Sequence, residues 1–162
     1  MSLIIIAVDL KSNAYRLVET GVEIALRFGG TLQLVHVMES LPSNAGAWSP
    51  AQDYKQIVSS MKDEARSQLD ALAAYAREYE VATDVRLLFG PVSSALTEAV
   101  TESAATFLIL GHRSHSALHN LFGSSVSQSV LKRLQLPVLL VPSDGVTEDD
   151  AVSDADLSGL VQ

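Results

Sequence analysis

Leu3-Ile4-Ile5-Ile6-Ala7-Val8 is an unbroken apolar run, and Asp9 closes it with a single carboxylate. β-Branched residues without polar alternation fit a strand buried on both faces, as in a parallel sheet. Residues 12 to 28 follow with apolar positions Ala14, Leu17, Val18, Val22, Ala25 and Leu26 at helical spacing. Gly29-Gly30 ends that helix, and Thr31 to Val37 returns to strand character. The same alternation continues. After a loop from Glu39 to about Pro50, a long helix is expected over Ala51 to Tyr79, with Tyr54, Ile57, Val58, Met61, Ala65, Leu69, Leu72 and Ala76 on one side. Thr83 to Phe89 reads as a third strand, and Ser93 or Ser94 is placed to cap a helix ending near Ser103. Thr106 to Leu110 is a fourth strand, Gly111 to Phe122 a polar loop, Ser124 to Leu134 a helix, and Val138 to Val141 a fifth strand.

Parallel strands need crossovers, so this alternation predicts a single-domain α/β fold: an open five-stranded parallel sheet with helices on both faces. Ligands of such sheets bind beyond the carboxyl ends of the strands, where the strand order reverses. Asp9 and the loop after Gly111 both follow strands, so chemistry is sought there. A carboxylate at position 9 can accept hydrogen bonds from a ribose, or it can cap the following helix.

Composition narrows the function classes. The 162 residues suit one domain, and the absence of cysteine excludes disulfides and thiol chemistry. The net charge of −8 is concentrated at the end of the chain. Six acids and no base fall after Ser143, which leaves 13 acids against 11 bases for residues 1–143. A nearly neutral body gives no support for nucleic-acid binding, which needs a basic face. The acidic segment 143–162 reads as a solvated tail that could meet a protein partner. No basic n-region precedes the first apolar run and no stretch is long enough to span a bilayer, so no membrane insertion is expected and the protein is placed in the cytoplasm.

The segment from Gly111 to Ser127 is the richest in polar chemistry. A glycine after a strand, Arg113, Ser114 and then Ser124, Ser125 and Ser127 at a helix start can seat a phosphate on free N–H groups and the positive end of the helix dipole. A serine-rich helix entry without a ligand is the plainer alternative. No Gly-Lys-Ser/Thr follows, so this is not a Walker A loop. His112, His115 and His119 have helical spacing for a metal, but their stretch reads as loop and carries no carboxylate. His36, inside the second strand, reads as a satisfied sheet residue. Without a Gly-x-Ser-x-Gly elbow, serine hydrolysis is not expected.

Three stretches carry a resemblance: Ile6 to Asp9, Leu34-Val35-His36-Val37, and Leu108 to Gly111 continuing to Leu136-Pro137-Val138-Leu139-Leu140-Val141-Pro142. On these, residues 1–142 resemble the universal stress protein family, a Rossmann-like fold of the adenine nucleotide α-hydrolase type, and 143–162 lie outside the likeness. The resemblance implies a stress-responsive regulatory protein that binds ATP or AMP, with Mg²⁺ on the phosphates and little or no turnover. It implies a nucleoside end at Asp9, Val37, Leu110 and Gly111, and a phosphate end at Arg113, Ser114, Ser124, Ser125, Val126 and Ser127. It also implies a homodimer through Val138 to Val141. Nucleotide-binding members carry Gly-x2-Gly-x9-Gly-Ser/Thr after the fourth strand. Here Gly111 holds the first place, Ser114 the second and Ser124 the third, with Ser125 as the hydroxyl. The competing reading is a nucleotide-free homodimeric regulatory module whose glycine loop has degenerated, and a slow ATPase stands third.

Overall fold

The computed structural model describes residues 2–10, 14–39, 51–112 and 130–142. Eight elements follow in the order β1 (Ser2–Ala7), α1 (Ala14–Phe28), β2 (Gly30–Met38), α2 (Ala51–Glu78), β3 (Thr83–Phe89), α3 (Val92–Glu102), β4 (Phe107–His112) and β5 (Val138–Pro142). All four strand pairings are parallel, and the order across the sheet is β3-β2-β1-β4-β5. β1 therefore lies in the middle. Ile4, Ile5 and Ile6 are all essentially inaccessible, because successive side chains enter different cores.

Ile4 and Ile6 join Leu32, Leu34 and Ile109 under α1 and α2, where Leu17, Val18, Val22, Leu69, Leu72, Ala73 and Ala76 cover them. Ile5 joins Val35, Leu108 and Leu110 on the opposite face, beneath Leu96 and Val100 of α3 and Val130. Each such aliphatic side chain contributes roughly 1.5–3 kcal/mol on leaving water, so the two cores bind the layers together.

Four local expectations are corrected. Leu26 is exposed, and Gly21 takes a place on the buried stripe of α1 instead. α3 starts after Pro91, whose extended backbone (φ −61°, ψ 124°) serves as the N-cap with no side-chain bond; Ser93 and Ser94 lie inside the helix. β4 continues two residues beyond Leu110, because Gly111 and His112 find partners in Val141 and Pro142 of β5. The first half of α2 also packs less than its apolar stripe implies: Ile57 and Met61 are exposed, and burial begins at Ala65. Lys62 there sits 4.6 Å from the centre of the Phe89 ring at the end of β3.

α1 and α2 meet through an aromatic chain. Tyr75 takes Tyr15 edge-on at 5.5 Å and Tyr79 at 5.3 Å, and the Tyr75 and Tyr79 hydroxyls share a hydrogen bond of 3.2 Å. That bond, then partial desolvation and the nearby charges of Tyr79, Glu19 and Glu78, push the Tyr75 phenol up to about 12 from 10.0. The folded chain thus keeps this proton longer than the unfolded chain does. The group's contribution to stability is complete below pH 10.0 and is lost as pH rises through about 12. Replacing Tyr79→Phe should bring the Tyr75 midpoint back toward 10.0, read as phenolate absorbance against pH. An unmoved midpoint would mean the hydroxyl pair is not its cause.

Candidate functional site

The strand order reverses between β1 and β4, since β2 and β3 extend to one side of β1 and β4 and β5 to the other. Beyond this point the sheet divides. The last β1–β4 pair is Ala7↔Leu110. Past it, Val8 stays with β2, its N–H donating to Val35 O at 2.9 Å. Gly111 and His112 stay with β5. The ends of β1 and β4 are thus each paired outward, on either side of the crevice position at which open α/β sheets hold ligands.

Asp9 stands on one wall of that crevice, exposed, directly after the buried Val8. Gly111 stands on the other wall, half-buried. Val37 lies one strand further out, opposite Leu88, and its side chain packs against the α3-side core. Leu110 is 4% exposed and belongs to the same core, so a ligand would meet its main chain rather than its side chain. Asp9, Val37, Leu110 and Gly111 therefore gather at the carboxyl ends of β1, β2 and β4. Arg113, Ser114, Ser124, Ser125, Val126 and Ser127 lie outside the described residues, as do His115 and His119. Among the described residues no group of three or more His, Asp or Glu side chains is suited to a metal ion. No helix among them is long and apolar enough to cross a membrane.

Two features of the β1 exit go beyond the sequence reading. His36 Nδ1 lies 2.7 Å from Val8 O. It is a satisfied sheet residue, as its position in the strand suggested, but its partner is the main chain at the crevice wall. Leu10 has φ 57°, in the left-handed region. A leucine there costs roughly 1–2 kcal/mol and is found mainly where the surroundings hold it; here its side chain packs on the α1/α2 core. No residue-type signal marks this turn, which is ordinarily the business of Gly, Asn or Asp. A histidine one residue before Val37, two after a buried leucine, was the available hint for the other.

The architecture is that of a Rossmann-like α/β protein. The family model of the universal stress protein family matches residues 1–142. The chain belongs to that family. A curated relative, a universal stress protein from Thermus aquaticus described by its place in the 3' region of a QAH/OAS sulfhydrylase, is 29% identical over 138 residues, covering 85% of this chain and 96% of the relative. A solved structure of the universal stress protein from Archaeoglobus fulgidus in complex with dAMP is similar at a TM-score of 0.60 and 21% identity, over 86% of this chain and 97% of that one. A universal stress protein family protein from Arabidopsis thaliana with AMP bound matches at a TM-score of 0.61 and 17% identity, over 95% and 97%. At those identities the two structures speak to the fold.

Proposed function

We propose that this protein binds an adenine nucleotide, ATP or AMP, as a regulatory ligand in the stress response, with little or no turnover. The observation that carries the reading is the divided sheet: the β1–β4 pairing ends at Ala7↔Leu110, with Asp9 and Gly111 just after it along the two strands. The dAMP and AMP held by two proteins of the same fold support adenine as the base. Asp9 accepts from the ribose, the main chain around Val37 and Leu110 meets the nucleoside, and Gly111 lets the backbone approach without a Cβ in the way. Arg113 and the hydroxyls of Ser114, Ser124, Ser125 and Ser127 take the phosphates, beside Val126. Mg²⁺ arrives with the phosphates, since it favours phosphate oxygens and water over a protein cage.

The remaining parts of the proposal are a cytoplasmic homodimer joined through β5 and an acidic segment 143–162 available to a protein partner. β5 is an edge of the sheet and carries Val138, Leu139 and Leu140, all half-buried within one chain. Pairing of that edge with a second copy would satisfy its open backbone groups and cover those side chains.

The test joins two measurements on freshly purified protein: mass spectrometry of whatever is released on denaturation, and calorimetric titration with AMP and ATP. Co-purified adenine nucleotide, or saturable heat with both ligands and no phosphate release, is the expected result. An empty protein that gives no heat with either would overturn the reading in favour of the nucleotide-free module, to which Ser114 and Ser124 in the glycine positions already point.

A further inference from the structure

His36 deserves a role of its own, because of what it holds. A carbonyl oxygen only accepts, so the 2.7 Å contact with Val8 O puts the proton on His36 Nδ1. Val8 is then bound to β2 through both of its main-chain groups: its N–H to Val35 O and its carbonyl to the His36 ring. The regular β1–β2 register ends one residue earlier, at Ala7↔Val35. The next rung of a parallel ladder would give Val8 O to the N–H of Val37. The ring takes that carbonyl at the rung where the register stops, beside a residue the nucleotide reading uses.

The consequence is mechanical. Between Val8 and α1 the chain must turn, and it does so through Leu10 at φ 57°. A strained turn persists only when its flanks are fixed. Leu10 is held by packing on the core, and Val8 by the ring of His36. Asp9 lies between these two anchors. If the Val8 carbonyl were released, the end of β1 could relax toward β4, narrowing the crevice and displacing the main chain that carries Asp9.

We infer that His36 is a positioning residue for the nucleotide crevice: its Nδ1–H bond pins the exit of β1 to β2, keeps the sheet divided, and fixes the backbone on which Asp9 stands. The inference rests on the nucleotide reading for its ligand, but the pin itself can be read in ligand-free protein.

Asparagine places an amide N–H near the position of Nδ1, whereas glutamine places one near Nε2. His36→Asn should therefore bind AMP within about threefold of wild type. His36→Gln and His36→Leu should bind about tenfold more weakly, the equivalent of one net hydrogen bond, with all four proteins melting as cooperative folds. In ligand-free protein, the amides of Asp9 and Leu10 should exchange with solvent faster in the Gln and Leu variants than in His36→Asn. Imidazole ¹⁵N shifts should show the wild-type proton on Nδ1. Equal AMP affinity in the Asn and Gln variants, or equal exchange at Asp9 and Leu10, overturns the pin. Wild-type protein that takes up no AMP defeats the nucleotide reading instead, and the exchange rates then decide the pin alone.

Discussion

Gly21→Ala should lower the stability of this protein by up to about 2 kcal/mol, although alanine in mid-helix ordinarily gains about 1 kcal/mol over glycine. The reason is the approach of α1 to β1. A Cβ built at Gly21 comes 2.2 Å from Ile6 Cδ1, 3.3 Å from Ile6 Cγ1 and 3.5 Å from Leu32 Cδ2. A terminal methyl could swing aside on a surface, but Ile6 is 0% exposed and its neighbours fill the space. The overpacking term therefore outweighs the propensity term. Ile6→Val removes Cδ1 and by itself costs about 0.5–1.5 kcal/mol through the cavity it leaves. Combined, the two changes compensate: alanine fills the volume that valine vacates. A double-mutant cycle by denaturant unfolding should give a favourable coupling of about 1 kcal/mol or more, as residues in direct contact do. A neutral or stabilising Gly21→Ala would show that Ile6 repacks freely, and the close approach would lose its explanation.

That glycine also marks the boundary of what the sequence could reveal. β1 and β4 were readable because each buries both faces and so carries apolar residues in succession. The expected Leu3–Val8 run and the observed Ser2–Ala7 strand differ only at their ends. Helix faces were less legible. Leu26 continues an apolar spacing on paper, yet at 100° per residue it stands about 110° from the centre of the arc formed by Ala14, Leu17, Val18, Gly21, Val22 and Ala25. A glycine adds nothing to a hydrophobic pattern, so the residue that actually sets the helix–strand distance went unnoticed. The end of β4 failed for a different reason. Gly111 and His112 look like loop locally, and only their pairing with Val141 and Pro142, some thirty residues on, makes them strand.

At the crevice the same division holds. Asp9 and Gly111 were legible because each is a chemically distinctive residue placed just after an apolar run. The bond from His36 to Val8 O was not, because it joins residues 28 apart through a main-chain acceptor, and any residue supplies a carbonyl. The left-handed turn at Leu10 was hidden for a related reason: tertiary packing there overrides the preference of the side chain.

The two ends of the proposed site should separate cleanly under substitution. Asp9→Ala removes the carboxylate proposed to accept from the ribose, a part common to AMP and ATP. A hydrogen bond to a charged group is worth about 1.5–3 kcal/mol, so both affinities should fall by about 10- to 100-fold together. Asp9 is exposed, so the fold should tolerate the change, and the melting midpoint serves as the control. Ser114→Gly with Ser124→Gly acts at the other end. Where a phosphate loop calls for positive φ, a serine costs roughly 1–2 kcal/mol that glycine does not. A serine at a helix start can also turn its hydroxyl onto the helix's own amides, in competition with phosphate. Restoring both glycines should therefore tighten ATP by about tenfold or more and leave AMP, with its single phosphate, nearer its original affinity. The ratio of the two constants, measured by calorimetry at one ionic strength, is the decisive quantity, because a general change in the fold would move both ligands alike. If Asp9→Ala weakened ATP but not AMP, the carboxylate would belong to the phosphate end and the orientation of the nucleotide would have to be reversed. If the glycine pair left the ratio unchanged, the serines would be serving as phosphate donors in their own right, and the loop would be a working variant of the glycine pattern.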